Sequence, residues 1–409
     1  MNETLKTALA GAQILFVAFG ATVLVPLLTG LNTNLALLGA GVGTLIFQLL
    51  TRRQVPIYLG SSFAFIAPVV YSVQTWGMPA TLGALACASF FYYVAAGLVK
   101  WRGVDFIHKI LPPVVIGPVV MVIGLGLAPV AVGMAAGKAG SNQVMPYNVA
   151  MALAAVSLVT TMLVAIKARG IMKLVPILAG VAAGYLAALY LGVVNFQPVL
   201  DAPWIALPEF GHPTFNLAAI LFMIPVAIAP IVEHVGGILA IGSVTGKDYT
   251  ESPGLHRTLL GDGLAVNVVG LFGGPPVTTY GEVTGAVMLT RNFNPAVMTW
   301  AACFAILLAF VAKFGALLNT IPLPVMGGIM LLLFGSIASI GLKTVVDGRV
   351  DLGDPRNLCI ISVVLVTGIG GMSVQFSDNF GLSGVSLCGI LAIVLNLILP
   401  KASGQNIGR

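Results

Sequence analysis

Charge is what this sequence has least of. Lys, Arg, Asp and Glu together make up 8% of its 409 residues, with 19 basic and 13 acidic side chains, while 58% are apolar. A soluble domain carries about 25% charged residues because its surface must be hydrated. Too little charge is present to coat a soluble globule, which excludes an ordinary soluble enzyme, a nucleic-acid binder and a disordered chain. Cysteine is scarce too: Cys87, Cys303, Cys359 and Cys388 all sit in apolar runs with no CxxC pair, so neither a disulfide framework nor a zinc site is supported. No Walker loop or HExxH motif occurs, which argues against an ATP-driven pump and against metal-dependent hydrolysis. No metal or organic cofactor is expected, and no enzyme activity.

What the chain does have is length in apolar runs. A bilayer-spanning helix needs about 20 apolar residues, and breaks at charges, prolines and polar clusters divide the chain into fourteen segments. They lie near 8–28, 33–51, 56–73, 78–99, 107–134, 147–166 and 171–193, then 215–243, 257–273, 276–290, 295–318, 321–342, 357–374 and 382–399. With Met1 in the cytoplasm, only Lys138 and Lys313 of the 19 basic residues fall on the far side. Basic residues gather on cytoplasmic loops, so this bias supports both the count and an orientation with both termini cytoplasmic. The net charge of +6 is thereby topological and needs no nucleic-acid partner. The fold class is an all-α polytopic membrane protein whose one partner by composition is the lipid bilayer.

Two segments are irregular. Segment 3 opens Pro56-Ile-Tyr58-Leu-Gly60-Ser61-Ser62-Phe63, and segment 10 opens Pro276-Val-Thr278-Thr279-Tyr280-Gly281-Glu282. Each passes an extended, glycine-bearing stretch before becoming helix-compatible, and the two are a little over half the chain apart. Paired broken spans at matching places in two halves point to a carrier's binding site. A half-helix beginning at mid-membrane offers unpaired N–H groups and the positive end of a dipole, which hold a small polar ligand without a full charge. Phe63, Phe65 and Tyr280 beside the breaks are able to stack on a planar ligand or to pack against lipid.

Five glutamates occur, and Glu3, Glu209 and Glu251 lie in termini or loops. Glu233 sits midway along an apolar span, where an ionisable group is a functional candidate by default; burial there also suits a proton-coupled step. Glu282 opens the second half-helix, where a carboxylate serves either as a cap or as a ligand group. His234 is about 100° around the helix from Glu233, so the two do not share a face, and it reads as a packed histidine or as a proton-handling one.

Phe19-Gly-Ala21-Thr-Val-Leu-Val-Pro26, Tyr58-Leu-Gly-Ser-Ser-Phe-Ala-Phe65, Glu233-His-Val-Gly236, Pro253-Gly-Leu-His-Arg257, Thr278-Thr-Tyr-Gly-Glu282, Thr290-Arg291 and Pro322-Leu-Pro-Val-Met-Gly-Gly328 occur in order along nearly the whole chain. Together they resemble the nucleobase–ascorbate transporter (nucleobase:cation symporter-2) family. The resemblance implies fourteen segments in a seven-plus-seven inverted repeat. It implies a core domain from residues 1–100 and 214–320 (segments 1–4 and 8–11) and a gate domain from residues 101–213 and 321–409 (segments 5–7 and 12–14), which dimerises. It also implies proton symport of uracil across the bacterial cytoplasmic membrane, driven by the proton gradient. Substrate binding is then expected from Glu233, Glu282, Gly281, Tyr280, Phe63, Ser62 and Ala21, with proton coupling by Glu233, Glu282 and His234. The chain departs from the family's pattern at Gly237, where close relatives carry a histidine four residues after the glutamate, and at Val283, Met330 and Phe334, which are apolar where relatives are polar. Rival readings are a purine or xanthine carrier on the same fold and, more distantly, an anion transporter or channel of related architecture.

Overall fold

The computed structural model describes residues 3–169, 172, 175–377 and 380–400. Fourteen segments follow one another through them, near the positions that the breaks in apolar sequence predict. Segments 1 (Glu3–Thr29), 2 (Thr33–Leu50), 4 (Met78–Arg102), 6 (Tyr147–Lys167) and 12 (Leu323–Asp347) are single long helices. Segment 5 joins Pro113–Gly126 to Ala128–Ala135, and segment 8 runs Leu217–Thr245 through a tight turn at Ile224–Ala227. Shorter helices form segments 7 (Pro176–Tyr190), 9 (Leu255–Phe272), 13 (Pro355–Ile369) and 14 (Gly384–Ile398). Segment 11 is read from sequence as one span over 295–318; the structure instead bends it by 84° between Ala296–Ala309 and Ala312–Asn319. Lys313 lies just past that bend. Its Nζ donates to Val199 O (2.9 Å) and stands 5.3 Å from the Trp204 ring centre.

Helix ends follow local chemistry. Asn32 caps segment 2, its side chain accepting from the N–H groups of Asn34 (2.8 Å) and Leu35 (3.2 Å). Among the described residues, the non-glycine positions with left-handed backbone are all arginines: Arg52, Arg53, Arg291 and Arg349, with φ from 48° to 55°. They follow segments 2, 10 and 12, the even-numbered turns where the sequence concentrates basic residues. Left-handed backbone costs a non-glycine residue about 1–2 kcal/mol. A cation at the negative end of a helix dipole offsets part of that cost.

Segments 1, 2, 4, 9 and 11 pack on one another, with segment 8 against segment 4. Segments 5, 6, 7, 12, 13 and 14 form a second packed group. Within each, small residues let backbones approach, as expected where lipid leaves no hydrophobic drive between helices. A Cβ added to Gly270 would lie 2.7 Å from Ala86 N, and one added to Gly341 would lie 2.6 Å from Gly117 O.

The irregular stretch before segment 3 survives inside this packing because segment 2 supplies its hydrogen bonds. Gln48 Nε2 donates to Val55 O (2.8 Å) and Ile57 O (3.3 Å), and one turn earlier Thr44 Oγ1 accepts from Leu59 N (2.9 Å). Backbone groups at membrane depth must be satisfied internally. Gln48→Leu is therefore expected to lower stability by about 1–3 kcal/mol for each carbonyl left unbonded. Thermal unfolding of the detergent-purified protein measures this, and an unchanged midpoint would show that Gln48 does not hold the stretch.

Candidate substrate-binding site

The two broken segments meet. Strand β1 (Leu59–Ser61) pairs antiparallel with strand β2 (Val277–Thr279), with Leu59 opposite Thr279, Gly60 opposite Thr278 and Ser61 opposite Val277. Tyr280 N donates to Tyr58 O (3.1 Å) and Ser62 N to Pro276 O (2.8 Å), extending the ladder at both ends. Beyond β1 the chain turns through Phe63–Phe65 into the helix Ile66–Trp76, and beyond β2 it enters the helix Gly281–Thr290. The antiparallel pairing places both helix N-termini near one another, with their chains running in opposite directions. Neither N-cap residue, Ser62 or Tyr280, makes a side-chain capping bond. Two sets of helix N–H groups, each at the positive end of a dipole, thus face the same region.

The side chains that hold this junction are largely buried. Tyr280 lays its ring against Gly60 and donates its hydroxyl to Ser61 O (2.8 Å), while Ser61 Oγ donates to Thr22 O (2.9 Å) beside Ala21, itself fully buried. A Cβ at Gly60 would collide with the Tyr280 ring. Gly60→Ala should therefore push β1 and β2 apart and weaken ligand binding about tenfold or more, since catalytic and binding groups tolerate shifts of only about 0.5 Å. Equilibrium binding of labelled ligand checks this; wild-type affinity would mean that the ring can move aside. Ser62 Oγ and Thr279 Oγ1 are buried and have no hydrogen-bond partner among the described residues. Phe63 meets Phe334 of segment 12 edge to face, with ring centres 5.9 Å apart at 84°. That contact joins the break to the second packed group.

Glu233, half-buried, is on segment 8, and Gly236 and Gly237, one turn on, are half-buried beside it. Gly281 at the start of the second half-helix is exposed. The side chain of Glu282 lies outside the described residues, so the expectations placed on it stand without geometry. Val283 of segment 10 and Met330 and Phe334 of segment 12 are buried apolar side chains.

His234 points the other way. It is fully buried, with Nδ1 2.7 Å from Asp262 Oδ2 and Nε2 2.9 Å from Thr258 Oγ1, both on segment 9. Thr258 Oγ1 donates its own proton to Leu255 O (2.9 Å), which leaves Nε2 of the histidine to donate. Asp262 Oδ1 and the buried Tyr92 hydroxyl have no partner among the described residues, and Tyr92 lies within electrostatic reach of both Asp262 and Glu233. Sequence reasoning stopped at the glutamates and missed Asp262. The same rule that singles out Glu233, an acid inside an apolar span, would have found it.

A recess of about 550 Å³ between Asn32, Asn34, Glu209 and Asn319 contains none of these residues. Among the described residues, the arrangement around the breaks gathers no cluster of side chains that could hold a metal ion.

A sequence profile described as a permease family matches residues 5–377. The chain belongs to that family, the nucleobase–ascorbate (nucleobase:cation symporter-2) permeases. It is 59% identical over 404 residues to a probable uracil permease of Haemophilus influenzae, covering 99% of this chain and 97% of that one. It is 44% identical over 401 residues to the uracil permease of Bacillus subtilis (96% and 92% covered) and 39% identical over 399 residues to that of Escherichia coli (98% and 92%). Among solved structures, the transmembrane domain of a cyanobacterial bicarbonate transporter, BicA, aligns with a TM-score of 0.67 at 15% identity over 97% of this chain and 98% of its own. The murine anion transporter Slc26a9 in its inward-facing state aligns with a TM-score of 0.69 at 12% identity over 97% and 68%. At those identities the likeness is one of fold, and it agrees with a polytopic helical membrane protein of this permease architecture.

Proposed function

We propose that this protein is a uracil:proton symporter of the bacterial cytoplasmic membrane. The observation that carries the reading is near-full-length identity of 39–59% to permeases named for uracil, joined to a site whose chemistry suits a nucleobase. Uracil presents alternating N–H and C=O groups on a flat ring. The two half-helix N-termini supply donors for its carbonyls, and Glu233 supplies an acceptor for ring N–H when ionised and a donor when protonated. A proton carried on Glu233 thereby changes the fit to substrate, which is the link symport requires. No cofactor is involved; the proton gradient is the driving force. Residues 1–100 and 214–320 carry the substrate as a core, residues 101–213 and 321–409 act as a gate that dimerises, and both termini lie in the cytoplasm.

A purine or xanthine carrier is the nearest rival, and the apolar Met330 and Phe334 are the features that keep it in view. Uptake of labelled uracil, challenged with excess unlabelled thymine, xanthine and hypoxanthine, separates them. Competition by uracil and close pyrimidines alone is the expected result; equal or better competition by xanthine would overturn the assignment. An anion transporter is favoured by fold likeness alone. The ionisable side chain on segment 8 at the site is a carboxyl, the wrong sign for attracting an anion.

A further inference from the structure

Segment 12 meets the two half-helices differently. Phe63 on the first half-helix meets Phe334 of segment 12. Toward the opposite end, where segments 10 and 12 finish at Thr290 and Asp347, no such contact forms among the described residues. There the second half-helix shows Gly281, Gly285 and Met288, spaced i, i+4 and i+7 on one face. Gly281 and Met288 are exposed, and a Cβ added to Gly285 would have nothing within 4 Å. The nearest atom to a Cβ added at Gly281 is Ile340 Cδ1 of segment 12, at 3.9 Å, and Ile340 is itself 48% exposed. A bare glycine face therefore stands opposite a large aliphatic side chain with little packed against either.

We propose that Ile340 is the second seal of the cleft: it seats on the Gly281–Gly285–Met288 face when the Phe63–Phe334 contact parts. The inference rests on the transport reading above. Glycine at 281 and 285 provides a groove with no Cβ to keep the isoleucine away, and removing the Ile side chain from water there is favourable. The two seals are then alternatives, each an apolar side chain of segment 12 against a half-helix, so that opening one end accompanies closing the other.

Two arms test this. In a background with Cys87, Cys303, Cys359 and Cys388 replaced and uptake retained, Gly285→Cys is paired with Ile340→Cys, and separately with Leu342→Cys as a control, in native membranes under mild oxidant. A disulfide needs Cβ atoms about 3.5–4.5 Å apart, and a Cβ at Gly285 has no atom within 4 Å in the described conformation, so cross-linking above the control reports approach of Ile340 to this face. Cross-linking of the 285–340 pair well above the control is expected. In the second arm, Gly285→Leu has room to fold, and it should bind uracil within about threefold of wild type yet import it about tenfold more slowly, because a filled groove cannot close. Absence of the cross-link, or wild-type import by Gly285→Leu, overturns the proposal. If no nucleobase stabilises the wild-type protein, the substrate assignment fails instead, while the cross-link still decides whether the seal forms.

Discussion

Replacing Glu233 by Gln should abolish proton-driven accumulation of uracil while leaving the protein folded in the membrane. Glutamine keeps the shape of glutamic acid and one acceptor oxygen, but it cannot take up or release a proton. Hydrogen bonds to a charged group contribute about 1.5–3 kcal/mol, so uracil affinity should fall by roughly 10- to 100-fold. Accumulation against a gradient should be lost entirely, because binding no longer depends on protonation. Exchange of internal unlabelled for external labelled uracil, which needs no net proton movement, should persist at raised substrate concentration. That split separates a coupling residue from a merely structural one. Undiminished accumulation by Glu233→Gln would remove Glu233 from the mechanism.

Cutting the His234–Asp262 pair should have the largest effect on stability. Both side chains are fully buried, and each is the other's partner at 2.7 Å. Asp262→Ala leaves the imidazole without its acceptor in an apolar bundle, a loss of about 3–5 kcal/mol for removal of one member of a buried pair. Asp262→Asn behaves differently. With Nε2 donating to Thr258, Nδ1 is able to accept from the asparagine amide, so the hydrogen bond is kept and the cost should stay near 1 kcal/mol. Thermal unfolding in detergent should rank wild type above Asn and Asn well above Ala. Equal midpoints for Asn and Ala would show that the bond, rather than burial of the residues, contributes nothing. Because His234 follows Glu233 directly, the pair also fixes the rotation of segment 8 about its axis. Asp262→Ala should therefore weaken uracil binding as well, without contact to substrate.

Much of this was legible before any coordinates. Scarcity of charge names the membrane, and proline–glycine interruptions at 56–60 and 276–281 locate the two breaks that the structure joins through β1 and β2. What the sequence hides is pairing across distance. Tyr280 reads as a ring able to stack on a ligand or to pack against lipid; the structure adds that its ring lies on Gly60 and its hydroxyl donates to Ser61 O. Gln48 and Thr44 look like stray polar residues in segment 2 until the unsatisfied carbonyls and N–H of residues 55–59 are placed beside them. His234 is ambiguous alone, because only the packing of segment 8 on segment 9 reveals Asp262 as its partner. The bend in segment 11 carries no proline or glycine at its apex, Phe310 and Val311, so local sequence offers no warning of it.

The central claim is that a proton gradient drives uracil through this fold. Purified protein in liposomes, given an acid-outside pH jump and labelled uracil, tests it most directly. The account predicts transient accumulation above the external concentration, collapsed by an uncoupler. Uracil that only equilibrates, whether or not the gradient is imposed, would contradict it.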